Sequence, residues 1–253
     1  MRGIRVGAGL TLLVALGGGI AVLALGLWVA GYPPGAALAA LWQGAFGSWY
    51  ALTSATLVRS VPLIVLGLGF ALAMRGGALN IGAEGQFLVG AIAATWAGGL
   101  VGGWPAMLAV PTVLVAAMVA GLLWIVVPVV LRLRFGVLEV ITTLLLNFVA
   151  VELVSWMVSG PLQESAGNYP QSNPIAAAAR LPLLPGARLH LGFLIGIALA
   201  VALWFVLRRT LWGFQLRAVG LGPKAAAVSG RINTNRMLGT ALLVSGAIAG
   251  LGG

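Results

Sequence analysis

Residues 61–100 read VPLIVLGLGFALAMRGGALNIGAEGQFLVGAIAATWAGGL. Two apolar runs stand on either side of a polar, glycine-rich break. The runs have the character of membrane helices. The break holds Glu84, with Asn80 and Gln86 close by, in a chain that has only four acidic residues. Two readings fit the residues. The segment is a tight turn between two spans, with Glu84 solvated or paired with Arg75. Alternatively, it is a broken, partly re-entrant segment, for which Gly76, Gly77, Gly82 and Gly85 supply the backbone freedom. Non-helical backbone at membrane depth is tolerated only where protein buries it or where it lines a cavity.

Composition supports the membrane class. Of 253 residues, 61% are hydrophobic and 7% charged, against about a quarter charged in soluble domains. The net charge of +10 does not point to nucleic acid, because the basic residues sit between apolar runs. With no cysteine, disulfides, thiolate zinc sites and a lipoprotein anchor are excluded.

A helix needs roughly 20 apolar residues to cross a bilayer. Candidate spans are 7–30, 57–75, 86–104, 106–131, 137–159, 189–207 and 236–253. The first has two arginines before it and is longer than a signal-peptide core, so it reads as a signal anchor. The expected fold is all-α: a polytopic transmembrane helical bundle of about seven spans, with one broken or re-entrant segment, forming a single transmembrane domain over 1–253. Glycine pairs at GxxxG spacing, Gly98/Gly102, Gly192/Gly196 and Gly246/Gly250, allow close helix approach. The last span reaches the final residue, and the expectation is a C-terminal truncation.

Charge sets the orientation. With the N-terminus inside, Arg2, Arg5, Arg75, Arg132, Arg134, Arg208, Arg209, Arg217, Lys224, Arg231 and Arg236 are cytoplasmic. Arg59, Arg180 and Arg188 then lie outside. The expected place is therefore a cytoplasmic membrane, with a cytoplasmic N-terminus. The outer loop 160–188 is rich in Pro, Asn and Ser, while the inner loop 208–235 is basic. Pro223 suits the start of a short helix within the inner loop.

The second polar stretch is EVITTLLLNF at 139–148, where Glu139, Thr142, Thr143 and Asn147 share one helical face. That face either hydrogen-bonds to a neighbouring helix or lines a pathway. Glu152 lies on another face and needs a partner or a watery environment. Catalysis finds little support. A P-loop motif is absent, His190 is the single histidine, Asp is absent, and Ser245 is a nucleophile only on paper. No metal, cofactor or nucleic acid is expected.

Three stretches carry a resemblance. FALAMRGGALNIGAEGQFLVGA, EVITTLLLNFVA, and RAVGLGPKAAAVSGRIN followed by SGAIAGLGG resemble, in order, ABC-importer permeases of the nucleoside and simple-sugar branch. That branch is related to ribose and branched-chain amino-acid permeases. The resemblance implies a bacterial inner-membrane subunit paired with a second permease subunit. A substrate-binding protein feeds it from outside, and cytoplasmic ATPase subunits drive it by alternating access. The NIGAEGQ wording is closest to nucleoside permeases; ribose or another simple sugar is the alternative substrate, and an ATPase-independent secondary transporter the alternative class. The implied pathway candidates are Asn80, Glu84, Gln86, Glu139, Thr143 and Asn147. The implied ATPase-coupling loop holds Arg217, Pro223, Lys224, Ala225, Ala226 and Gly230. A basic segment lying on anionic lipid is the other reading of that loop.

Overall fold

The computed structural model describes residues 2–228 and 232–253, with side-chain surroundings from Gly9 onward. Gly230 of the expected coupling loop lies outside the described residues. The chain divides after Val58 into two compact units.

The first unit holds α1 (Arg2–Val29), α2 (Pro34–Phe46) and a π-helical turn, Ala51–Leu57. Apolar side chains along α1 are exposed from Leu10 to Val29, as a lipid-facing helix requires. Gly31, at φ 83°, closes α1, with the Tyr32 N–H donating back to Leu27 O at 2.9 Å. Pro34 opens α2, whose 13 residues span only about 20 Å and fall short of a bilayer. This helix lies between the first two expected spans. The Thr56 hydroxyl donates to Ala45 O at 2.8 Å and ties the π-turn to α2.

The second unit contains α3 (Val58–Arg75) from its second residue onward, α4 (Ala83–Leu100), α5 (Ala106–Phe135), α6 (Glu139–Ser159), α7 (Gly192–Arg209), α8 (Leu211–Leu221), α9 (Pro223–Val228) and α10 (Thr234–Leu251). Its centre is α10. Gly246 and Gly250 bring α10 backbone-to-backbone against α5, where a Cβ on Gly246 would stand 2.5 Å from Ile125 Cγ2. A Cβ on Gly121 or Gly90 would strike the α10 main chain at Gly246 and Gly250. On the other side, a Cβ on Gly69 of α3 would come 2.9 Å from Ser245 O. Val65 and Leu72 of α3 pack there with Leu216, Ala241 and Ile248. The GxxxG expectation holds at Gly246/Gly250 as a meeting of several helices. Gly98 instead abuts Ile175 of the connection after α6, and Gly196 receives Ile64 and Val65 of α3 in ordinary contact.

The protein is an all-α polytopic membrane bundle. Among the described residues, five helical runs are long and apolar enough to cross a membrane: Gly9–Val29, Trp49–Arg75, Ala106–Phe135, Glu139–Ser159 and Gly192–Arg209. The two remaining expected spans form as α4 and α10. These are less apolar. In α10 this goes with burial in protein, which covers ten of its 18 residues; α4 carries Glu84 and Gln86 in its first turn.

The second unit has two distinct ends. At one, the ends of α3, α5 and α7 meet the starts of α4, α6 and α10 and the short helices α8 and α9. Contacts of Gly76 with Leu216 and Ala241, of Gly77 with Gly220, and of Gly239 with Leu133 define it. Arg75, Arg132, Arg134, Arg208, Arg209, Arg217, Lys224 and Arg236 cluster there. At the other end, the connection between α6 and α7 folds back, and Ala179 packs with Ala97, Val101, Ala109 and Val113. That connection has no long helix, only a 3-10 turn at Ala177–Ala179, in line with its composition.

Candidate functional site

The break between α3 and α4 is built from glycine and amide chemistry. After Arg75, Gly77 at φ 79° reverses the chain, and the Ala78 N–H donates to Ala73 O at 3.1 Å. This six-to-one bond closes α3 and needs a left-handed residue at Gly77. Beyond it, Ala78 and Asn80 are wholly buried. The stretch from Ala78 to Gly82 is thus partly taken from water ahead of α4, and its polar groups, with the first N–H groups of α4, need other partners.

Side chains supply them. Asn80 Oδ1 accepts from the Gly82 N–H at 3.1 Å, an Asx turn that leads into α4. Asn147, on α6, reaches across with both halves of its amide. Its Oδ1 accepts from the Gly85 N–H at 2.8 Å and its Nδ2 donates to Ile81 O at 3.1 Å. The contact is close because Gly82 and Gly85 have no Cβ; a Cβ on Gly82 would stand 2.8 Å from Thr143 Cβ.

Asn80 and Gln86 form a reciprocal amide pair, Nδ2 to Oε1 at 2.8 Å and Nε2 to Oδ1 at 3.0 Å. Asn80 Nδ2 also donates to Ser245 Oγ at 2.9 Å. Ser245 is therefore a buried acceptor on α10 that joins the break to the central helix, and not a nucleophile. The single histidine, His190, lies in the other connection, where its Nδ1 accepts from the Gly192 N–H at 3.2 Å.

Glu139 opens α6 and completes the cluster. Its Oε2 lies 3.2 Å from Arg132 Nε, an ion pair without directed hydrogen-bond geometry, and its Oε1 accepts a long 3.4 Å bond from the Leu79 N–H. Glu139 also lies in the first turn of α6, where the helix dipole favours negative charge.

Five of the six expected pathway residues, Asn80, Gln86, Glu139, Thr143 and Asn147, are thus buried together. Thr143 donates to Val140 O at 3.3 Å and packs on the break. Thr142 shares the face at lower burial and donates to Glu139 O. Glu84 is different. It is exposed on the first turn of α4, and no pairing with Arg75 forms. Glu152 is exposed on α6.

In the expected coupling loop, α9 starts at Pro223 as anticipated. It hangs from α8 and α10 by Ala226, which is buried with Val219 and Met237. Pro223, Lys224 and Ala225 are exposed, as are the apolar Leu221 at 91% and Val228 at 87%. Arg217 turns the other way, partly buried beside α3 and α7. Leu221 and Val228 were not singled out from sequence; their position flanking a proline-started helix was the available signal. Among the described residues, no group of His, Asp and Glu could hold a metal ion.

A bundle of membrane-crossing helices around a glycine-packed centre, with a polar break at one end, defines the class: a polytopic membrane protein. Residues 52–253 match the family of branched-chain amino acid transport system permease components, and the chain belongs to that family. A guanosine ABC transporter permease of Bacillus subtilis is 37% identical, with 95% of this chain and 69% of the relative aligned. A glucose ABC transporter permease of Haloferax volcanii is 40% identical over 96% of this chain and 65% of its own length. A nucleoside permease of Lactococcus lactis is 34% identical over 78% of this chain and 57% of its own. The chain thus spans about two thirds of the length of the curated relatives it matches. No solved structure matches it.

Proposed function

We propose that this chain is a membrane permease subunit of an ATP-binding-cassette importer for nucleosides, working by alternating access. The observation that carries the reading is α9. It is a short helix at the basic end, seated by Ala226 on the rigid α8–α10 corner and flanked by exposed Leu221 and Val228. An apolar surface of this kind on a small projecting helix suits docking into a partner's groove. Through Gly77–Gly220 and Gly76–Leu216 contacts, a push on α8 and α9 reaches the α3–α4 break directly. Motion there would reorient α4 and α6 together, because Asn147 links them.

The basic end is then cytoplasmic by the positive-inside rule, in a bacterial inner membrane. ATP hydrolysis belongs to separate ATPase subunits docked at α9, and a substrate-binding protein delivers solute at the opposite end. Glu152, a carboxylate exposed on a membrane helix, calls for a covering protein or water. A second permease subunit against α6 satisfies that need, with the pathway between the two. In this arrangement Asn80, Gln86, Glu139, Thr143 and Asn147 hold the break, and Glu84 is the residue free to meet solute or partner.

Uptake of labelled guanosine by cells expressing the permease with its neighbouring genes tests the reading. Vanadate-sensitive uptake, blocked by excess adenosine and uridine but not by ribose, is expected. The glucose permease relative favours a second reading, a simple-sugar substrate; competition by ribose or glucose would select it. Uptake indifferent to vanadate would sink the ATP-driven mechanism.

A further inference from the structure

A groove of about 560 Å³ lies between α3, α7 and α8 at the basic end of the second unit. Three arginines from three helices line it: Arg75, Arg208 and Arg217. Among the described residues, none has an acidic partner. Of the four glutamates, Glu139 pairs with Arg132, Glu164 is bound in the α6–α7 connection, and Glu84 and Glu152 lie on α4 and α6. Arg217 Nη1 is moreover buried without any hydrogen-bond acceptor. A buried, unpaired guanidinium donor is costly, and its presence points to an acceptor that completes the site. The rest of the wall is apolar, with Leu68, Leu72, Leu203 and Leu207, and Trp204 stacks under Arg208 at 5.7 Å.

We infer that this groove binds the phosphate of an anionic phospholipid, with an acyl chain along the leucine wall. A soluble anion would need the arginines but not the apolar wall; a lipid without phosphate would leave Arg217 unpaired, and a zwitterionic headgroup would set its own cation among the three arginines. Both features occur together at the terminus of membrane helices, where headgroup and chain meet. Basic pockets between membrane helices bind anionic headgroups in this manner, and the tryptophan sits as interfacial tryptophans do. The lipid would tie α7 and α8 to the end of α3, beside the polar break. The inference needs no transport activity and stands apart from the identity of the substrate.

The test is native mass spectrometry of the intact protein released from micelles containing equal phosphatidylglycerol and phosphatidylcholine. The expected result is one retained phosphatidylglycerol per chain, favoured about tenfold over phosphatidylcholine. Arg217→Gln should bring the ratio near unity, while Arg134→Gln, which removes the same charge from the exposed end of α5, should leave it intact. Wild-type protein without preference would overturn the inference and requires no variant to fold. An equal loss in Arg134→Gln would reduce the effect to diffuse surface charge. Displacement of the lipid by millimolar inorganic phosphate would make the groove a soluble-anion site and overturn the lipid assignment.

Discussion

At the residue scale, the double use of one amide decides how the break is held. Asn147 accepts from Gly85 and donates to Ile81, so its loss leaves one buried donor and one part-buried acceptor without partners. Asn147→Leu should destabilise the folded protein by about 2 kcal/mol, or a fall of roughly 4–8 °C in Tm for a domain of this size. Ser245→Ala should cost much less, because Asn80 Nδ2 keeps Gln86 as acceptor. Thermal unfolding in detergent compares them; equal losses would contradict the assignment of Asn147 as the principal clamp. Glu84 has the opposite profile. Exposed, and without an ion pair among the described residues, it contributes little to stability. Glu84→Ala should leave the amount of assembled protein unchanged and reduce uptake about tenfold, the size of one charge-assisted hydrogen bond. Parallel loss of uptake and assembly would make it a structural residue.

At the element scale, α9 separates seating from docking on a single turn. Ala226 faces Val219 and Met237, whereas Val228 is free. Val228→Asp should preserve folded protein and lower ATP-driven uptake about tenfold through loss of an apolar contact with the partner. Ala226→Asp should lower the yield of folded protein, since it buries an unpaired charge. Immunoblots of membrane fractions alongside uptake distinguish the two; full uptake in Val228→Asp would remove α9 from the docking surface. The same scale shows what the sequence could reveal. Spans, the glycine pair of α10 and the start of α9 at Pro223 follow from local composition and spacing, and all are legible. So is the shared face of Glu139, Thr143 and Asn147. Their partners are not. Asn147 bonds to backbone 62 and 66 residues away, and Asn80 to Ser245 across 165 residues. Such pairings are created by helix packing and leave no periodicity. For the same reason Ser245 reads as an isolated hydroxyl, and the arginines of the groove as separate loop charges. The helix α2 lies in a stretch too short to register as a span.

At the scale of the whole molecule, the division of charge between two ends makes a statement about the membrane that can be checked directly. Arg75, Arg132, Arg208, Arg217 and Lys224 meet at one end of the second unit, while Arg180 is held at the other by Ile175 O. Basic residues are retained on the cytoplasmic side during insertion, so the two ends should differ in accessibility. The chain contains no cysteine, which makes single-cysteine labelling possible without prior substitution. Lys224→Cys changes an exposed position on α9, and Tyr169→Cys an exposed position, 65% accessible, in the connection between α6 and α7. A membrane-impermeant maleimide should modify cysteine at 169 in intact spheroplasts and leave cysteine at 224 unmodified. In inverted vesicles the pattern should reverse. The opposite pattern would place α9 outside, where no ATPase could reach it, and would remove the ATP-driven reading together with the orientation. Labelling of both positions from one side would contradict the bundle itself, because α7 alone separates the two positions across the bilayer.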